Sequence, residues 1–214
     1  DVQTVVLQEG TGGYAGVEDT FINGWSVDTN YGTYSQVFVR SGEWMSALLR
    51  FDVSGLPAGT IVQQATLGLY VSGRSNSNPI TMEVYRLRRA WAEREATWNL
   101  ARAGSPWGAA GAKAVGADLD GMALSRLTVN TVSTWVEFDV TSAVREWLAE
   151  PASNFGIVVK SFDLAGVPYN ILSSEYGNVT LRPRLTIRYV AGAPAVPTSP
   201  PTPVPPTPIP TSTS

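Results

Sequence analysis

Ala47-Leu48-Leu49-Arg50-Phe51-Asp52-Val53 is the stretch that decides the fold class. Residues 47, 49, 51 and 53 are apolar, with Arg50 and Asp52 between them, and a period of two places alternate side chains on one face of a strand. The same alternation returns in Leu67, Leu69 and Val71. It returns again in Val136, Phe138 and Val140 around Glu137 and Asp139, and in Leu185, Ile187 and Tyr189 around Arg184, Thr186 and Arg188. Further strands are expected at Thr4–Gln8, Gln36–Arg40, Thr81–Leu87, Phe155–Ser161 and Tyr169–Ser173. Turn-rich stretches such as Ser54-Gly55-Leu56-Pro57-Ala58-Gly59 separate them. Thr141–Ala149 spaces Val144, Trp147 and Leu148 helically behind hydroxyl residues suited to an N-cap, and Trp91–Leu100 is rich enough in helix formers to suggest a second short helix. Many short strands and few helices predict an all-β chain, a two-sheet, jelly-roll-like β-sandwich. Its expected extent is residues 1–190, with a Pro/Thr/Ser-rich tail over 191–214.

Composition narrows the chemistry. The 214 residues include no cysteine and no histidine, which excludes disulfides, thiolate nucleophiles and histidine-based triads or zinc sites. Fifteen basic against 18 acidic residues leave a net charge of −3, without the basic stripe that a phosphate backbone requires. No apolar run is long enough to span a bilayer. The first residue, Asp1, fits a mature end left by signal-peptide removal, so the expected location is extracellular or at a cell surface. Paired carboxylates are the remaining route to catalysis. Glu93 and Glu95 sit among Arg88, Arg89, Arg94 and Arg102, where surface ion pairing accounts for them, and no enzyme is expected.

Read in order, several strings resemble the DNRLRE-domain, or disaggregatase-related, family. They are Asp19-Thr20-Phe21-Ile22, Thr29-Asn30-Tyr31-Gly32, the block from Ala47 to Thr60, and Ala65-Thr66-Leu67-Gly68-Leu69-Tyr70. Val84-Tyr85-Arg86-Leu87, Trp91-Ala92-Glu93-Arg94-Glu95-Ala96-Thr97-Trp98-Asn99, Val136-Glu137-Phe138-Asp139-Val140-Thr141, Asn154-Phe155-Gly156-Ile157 and Arg182-Pro183-Arg184-Leu185 complete the series. That family includes alginate-type carbohydrate-binding modules and bacterial and archaeal surface proteins. The resemblance implies a β-sandwich and leaves its ligand open. Gly104–Asn130 reads as a long insert relative to a typical member, and the tail as an addition.

Seven tryptophans and eight tyrosines exceed what an ordinary core requires, and flat aromatic faces hold sugars or protein partners. Trp91 and Trp98 fall within the family strings, Trp135 and Trp147 within the span they cover, and all four are expected to be packed. Trp25, Tyr31, Tyr34, Trp44, Trp107, Tyr169 and Tyr176 fall in loop-like stretches and are the candidates for a ligand or subunit surface. Arg86, Arg88, Arg89 and Lys160 are the candidate cations for an acidic glycan. No cofactor is implied, and Asp19, Asp28 and Asn30 offer oxygen ligands for a structural calcium ion. Asn178-Val179-Thr180 is an N-glycosylation sequon. In the tail, Thr198, Ser199, Thr202, Thr207, Thr211 and Thr213 interleave with proline, as in O-glycosylated polyproline II segments. The leading expectation is a non-catalytic extracellular subunit whose tail docks on the next copy to build a head-to-tail fibre. The alternative is a carbohydrate-binding module for a polysaccharide, acidic glycans included, tethered by that tail.

Overall fold

The computed structural model describes residues 1–192. The tail and its hydroxyl candidates at 198, 199, 202, 207, 211 and 213 lie outside the described residues. Thirteen strands and one α-helix are formed, in the order β1 (Val2–Gln8), β2 (Val17–Asn23), β3 (Gln36–Arg40), β4 (Met45–Phe51), β5 (Ile61–Arg74), β6 (Ile80–Arg86), β7 (Leu100–Arg102), β8 (Ser105–Pro106), β9 (Ser125–Val129), β10 (Thr134–Asp139), α1 (Thr141–Ala149), β11 (Ile157–Lys160), β12 (Pro168–Leu172) and β13 (Arg184–Val190). All named pairs are antiparallel.

The main sheet curls on itself, with strands in the order β1-β13-β5-β12-β3-β4-β11-β6-β9. β10 joins along the second edge of β5, and β2 along the second edge of β4. Two walls result. In the first, the long strand β5 pairs with β13 over Ile61–Gly68, with β12 over Val71–Arg74, and with β10 on its opposite edge. In the second, β4 holds β2 on one side and β11 on the other, and β11 passes the sheet on to β6 and β9. The hinge between walls is narrow, since β3 meets β4 at the single pair Arg40↔Met45.

Alternation explains what lies between the walls. Leu67, Leu69 and Val71 from β5, Val136 and Phe138 from β10, and Leu185 and Ile187 from β13 meet Ala47, Leu49 and Phe51 from β4 and Ile157 and Val159 from β11 in one buried cluster. The all-β sandwich expected from the period-two pattern is therefore the fold adopted. The second wall is also covered on its outer side. Leu48, Val158, Ile22 and Tyr85 pack there under Leu87, Trp91, Ala96, Ala101, Trp107, Ala112 and Leu119.

That outer cover corrects two expectations. Trp91–Leu100 is not a helix; it runs as turns into β7, because Trp91 and Ala96 are pressed onto the sheet while the backbone amide of Ala96 bonds to Ala92 O. Gly104–Asn130 is not an appendage either. It supplies Trp107, Ala112 and Leu119 to the cover and ends in the edge strand β9. The other expected helix forms at Thr141–Ala149 and buries Ala143, Val144 and Trp147. Its Thr141 hydroxyl makes no cap. Instead it accepts the Ala65 amide of β5 at 2.9 Å, and Asp139 Oδ1 receives the Thr141 amide at 2.8 Å.

Phe138, 1% exposed, sits at the centre of the inter-wall cluster. Phe138→Ala is expected to lower the unfolding free energy by about 3–5 kcal/mol, read from the midpoint of chemical denaturation.

Candidate functional site

The pairing of β2 with β4 builds an aromatic surface at one end of the second wall. Asn23 lies opposite Met45, and the Gly24 amide donates to Trp44 O at 2.9 Å, so the residues leaving β2 and entering β4 are side by side. Trp25 and Trp44 consequently stack, with ring centroids 5.6 Å apart and planes inclined by 18°. Both stay open to solvent, at 55% and 46% exposure. Fully burying an exposed large apolar side chain is favourable by roughly 1.5–3 kcal/mol; about half of each ring is already covered, so the uncovered half leaves a fraction of that free energy for a ligand.

Neighbours extend the surface. Arg40, the last residue of β3, holds its guanidinium 4.5 Å from the centre of the Trp25 ring. A Cβ at Gly24 would lie 2.9 Å from the Trp44 ring and 3.2 Å from the Trp98 ring, so only glycine lets both indoles close over the backbone. Trp98 is half-buried and carries Lys113 Nζ 5.1 Å from its ring centre. Three indoles thus adjoin one another, with a cation beside each end of the row.

The remaining aromatic candidates divide by burial. Tyr34 is half exposed but packs edge-on against Tyr31, centroids 5.1 Å apart. Tyr31 is buried and stacked on Phe21 at 4.1 Å. Trp107 is 5% exposed and donates its indole N–H to Thr97 O at 2.9 Å, while Tyr169 is fully buried with its hydroxyl on Asn78 O at 2.8 Å. Tyr31, Trp107 and Tyr169 are therefore core residues and not surface platforms: Tyr169 points inward from strand β12, and Tyr31 and Trp107 are rings from connecting segments packed into the buried clusters. Tyr176 is half-buried beside Arg182, whose Nε donates to Tyr176 O at 2.7 Å.

The proposed glycan cations are engaged elsewhere. Arg86 pairs with Asp120 and Glu146, Arg88 with Asp120, and Arg89 with Asp118. Burial alone would raise both aspartates. In Asp118 the amides of Ala109, Gly108 and Ala114 outweigh it, and in Asp120 Arg86 and Arg88 do, so both carboxyls fall below the usual range. Arg86 and Arg88 also line a cleft of about 270 Å³ with Glu146 and Glu150, a setting that repels polyanions. Lys160 is fully buried, with Nζ 2.8 Å from Gly111 O and 3.5 Å from Glu43 Oε1. Asn178 is exposed, but its Oδ1 accepts the amide and hydroxyl of Thr180. Glu93 and Glu95 are not a surface ion-pair cluster. Glu95 accepts the Ala103 amide, and Glu93 turns inward while keeping Arg94 at 3.3 Å.

Glu93 Oε1 accepts the amide of Asp19 at 2.9 Å on β2, whose only strand partner among the described residues is β4. Asp19, Glu93 and Glu175 each place one carboxylate oxygen within 4.8 Å of the others. Asp19 is raised well above the usual carboxylate range, first by burial and then by the charges of Glu175 and Glu93. Glu93 is raised by burial and then by Glu175 and Glu18. Of the calcium candidates read from sequence, only Asp19 belongs to this group. Asp28 accepts from Asn99 at 2.9 Å, and Asn30 spends its amide on Glu93 O and Ala96 O, both at 2.8 Å. Gly32 completes that clamp, since a Cβ there would lie 2.2 Å from Glu93 O. Asn30 and Gly32 thus hold the loop that aims Glu93.

An antiparallel sandwich presenting a wet indole pair has the form of a surface-binding β-module. The chain belongs to carbohydrate-binding module family 96, which it matches over residues 12–114 and 117–189. The match includes most of the stretch expected to be an insert. A comparison with curated proteins finds no match. No helix among the described residues is long and apolar enough to cross a membrane.

Burial pushes Lys160 down to about 8, with Glu43 opposing the shift. The unfolded chain binds this proton up to its ordinary value near 10.4, so between those limits it holds more protons than the folded chain and stability rises with pH. Lys160→Met should flatten the rise. The difference between wild type and variant in denaturation free energy, followed from pH 7 to 10.5, is expected to change by up to ~1.4 kcal/mol per pH unit.

Proposed function

We propose that the chain is a non-catalytic extracellular module that holds a polysaccharide on the Trp25–Trp44 surface. The observation that carries this reading is the stacked indole pair left exposed at the β2–β4 end, in a chain of a carbohydrate-binding family. Pyranose rings present faces of C–H bonds that pack on such indoles, and polar groups at the rim fix orientation. Arg40, which makes no ion pair among the described residues, supplies a cation beside Trp25, whereas Lys113 at the other end of the row is paired with Glu43 at 3.7 Å; an acidic chain therefore gains attraction at Arg40 that it does not gain at the ion-paired Arg86, Arg88 and Arg89. This agrees with the alginate-type modules to which the sequence strings are similar. The Pro/Thr-rich segment then acts as a tether. The same indole pair is where a subunit contact was expected from sequence, and family membership favours sugar over a second copy as its occupant.

Binding to soluble neutral and acidic polysaccharides by affinity electrophoresis and titration calorimetry tests the proposal. Trp44→Ala and Trp25→Ala should each weaken binding about tenfold or more without lowering the thermal midpoint. Arg40→Gln should weaken acidic ligands only. Undiminished affinity in the double tryptophan variant would place the sugar elsewhere.

A further inference from the structure

We propose that Asp19, Glu93 and Glu175 form a calcium site that ties the free edge of β2 to two connecting segments. An unsatisfied buried atom marks the place. Asp19 is 1% exposed, and its Oδ1 is buried without a hydrogen-bond partner, while Oδ2 accepts the Ser174 amide at 2.7 Å. A carboxylate oxygen withdrawn from water and left unpaired carries its full desolvation penalty, larger still when charged. Here two further carboxylates converge on the same space.

The group needs a cation that the described protein atoms do not supply in full. Arg94 reaches Glu93 Oε2 at 3.3 Å, yet its side chain is 58% exposed and it makes no ion pair with Asp19 or Glu175. The ligand set is all oxygen, which selects a hard cation over zinc or copper. Oxygens within 4.8 Å of one another can all touch an ion held about 2.3–2.6 Å from each. Calcium suits this place better than magnesium, because the three oxygens come from one strand and two irregular segments, and calcium accepts flexible geometry where magnesium demands a near-ideal octahedron.

Placement near the ligands is already organised. The Asp19 amide donates to Glu93, the Ser174 amide to Asp19, and the Ser174 hydroxyl to Glu175 Oε2 at 3.2 Å. Asn30 and Gly32 hold the Glu93 loop from the other side. An ion would therefore close the gap between segments that are distant in sequence, and would leave the indole surface at the end of β4 untouched.

Titration calorimetry and thermal unfolding of the chelator-treated full chain with calcium chloride test the site. Wild type should bind one calcium, and its midpoint should rise by roughly 5–10 °C at calcium a hundredfold above Kd. Glu175→Gln, a half-buried position, should weaken binding at least tenfold. Asp19→Asn should abolish the response and unfold no lower than wild type in chelator, since it removes the repulsion. If Asp19→Asn fails to fold, Glu175→Gln carries the comparison. The site is overturned if wild type shows neither heat nor a midpoint shift up to about 10 mM calcium, beyond the weak end of extracellular calcium modules. It is also overturned if Glu175→Gln responds like wild type. An equal response to magnesium overturns the choice of calcium.

Discussion

Everything in this molecule depends on the second wall being apolar on both faces. In β4, Leu49 points between the walls and Leu48 points away, and in β11 Val159 and Val158 divide in the same manner; all four are buried. A sheet of this kind cannot face water on its outer side. The chain must lay a second layer over it, and it does so with residues 87–119, held by turns, two short strands and the indoles of Trp91 and Trp107. The position of Trp98 beside Trp44, and of Glu93 beside Asp19, follows from that covering.

The first wall obeys a different rule. Its outer face carries Thr66, Tyr70, Trp135, Glu137, Arg184 and Arg188, in which Arg184 lies 4.0 Å over the Trp135 ring. Rings and guanidinium stems shield one another there, and no further layer is required. One sandwich thus holds two solutions to sheet burial, a packed layer on one side and a polar–aromatic lattice on the other.

Much of the fold was legible because strands announce themselves through period two. Gln36–Arg40 and Thr141–Ala149 fall where the spacing places them. The Trp91–Leu100 stretch misled because its composition favours helix, while tertiary contact with Leu48 and Val158 set its path. The site was less legible. Trp25 and Trp44 could be picked out as loop aromatics, but nothing local tells them from Tyr31 or Trp107, since burial of a loop ring depends on what the rest of the chain lays over it; Tyr169, by contrast, sits in strand β12. Arg40 read as the end of a strand, and its role beside Trp25 arises only from the β3–β4 turn. Asp19 could be picked out as an oxygen ligand, although Glu18 and Thr20 beside it in Val17–Asn23 hide that it is a buried carboxylate; Glu175 left no mark, because its convergence with Asp19 spans 156 positions of chain.

β4 has a polarity that governs how the module presents itself. Trp44 precedes its first residue, while the Val53–Thr60 turn follows its last, and Gly192 packs against Ala58 and Gly59 of that turn. Seven strand residues at about 3.3 Å each separate the two places by roughly 20 Å. The backbone therefore departs toward the proline-rich segment from the pole opposite the indoles. The two ends of this one strand thus divide the sandwich into an aromatic pole and an exit pole, and residues 190–192 lie clear of the exposed indole faces.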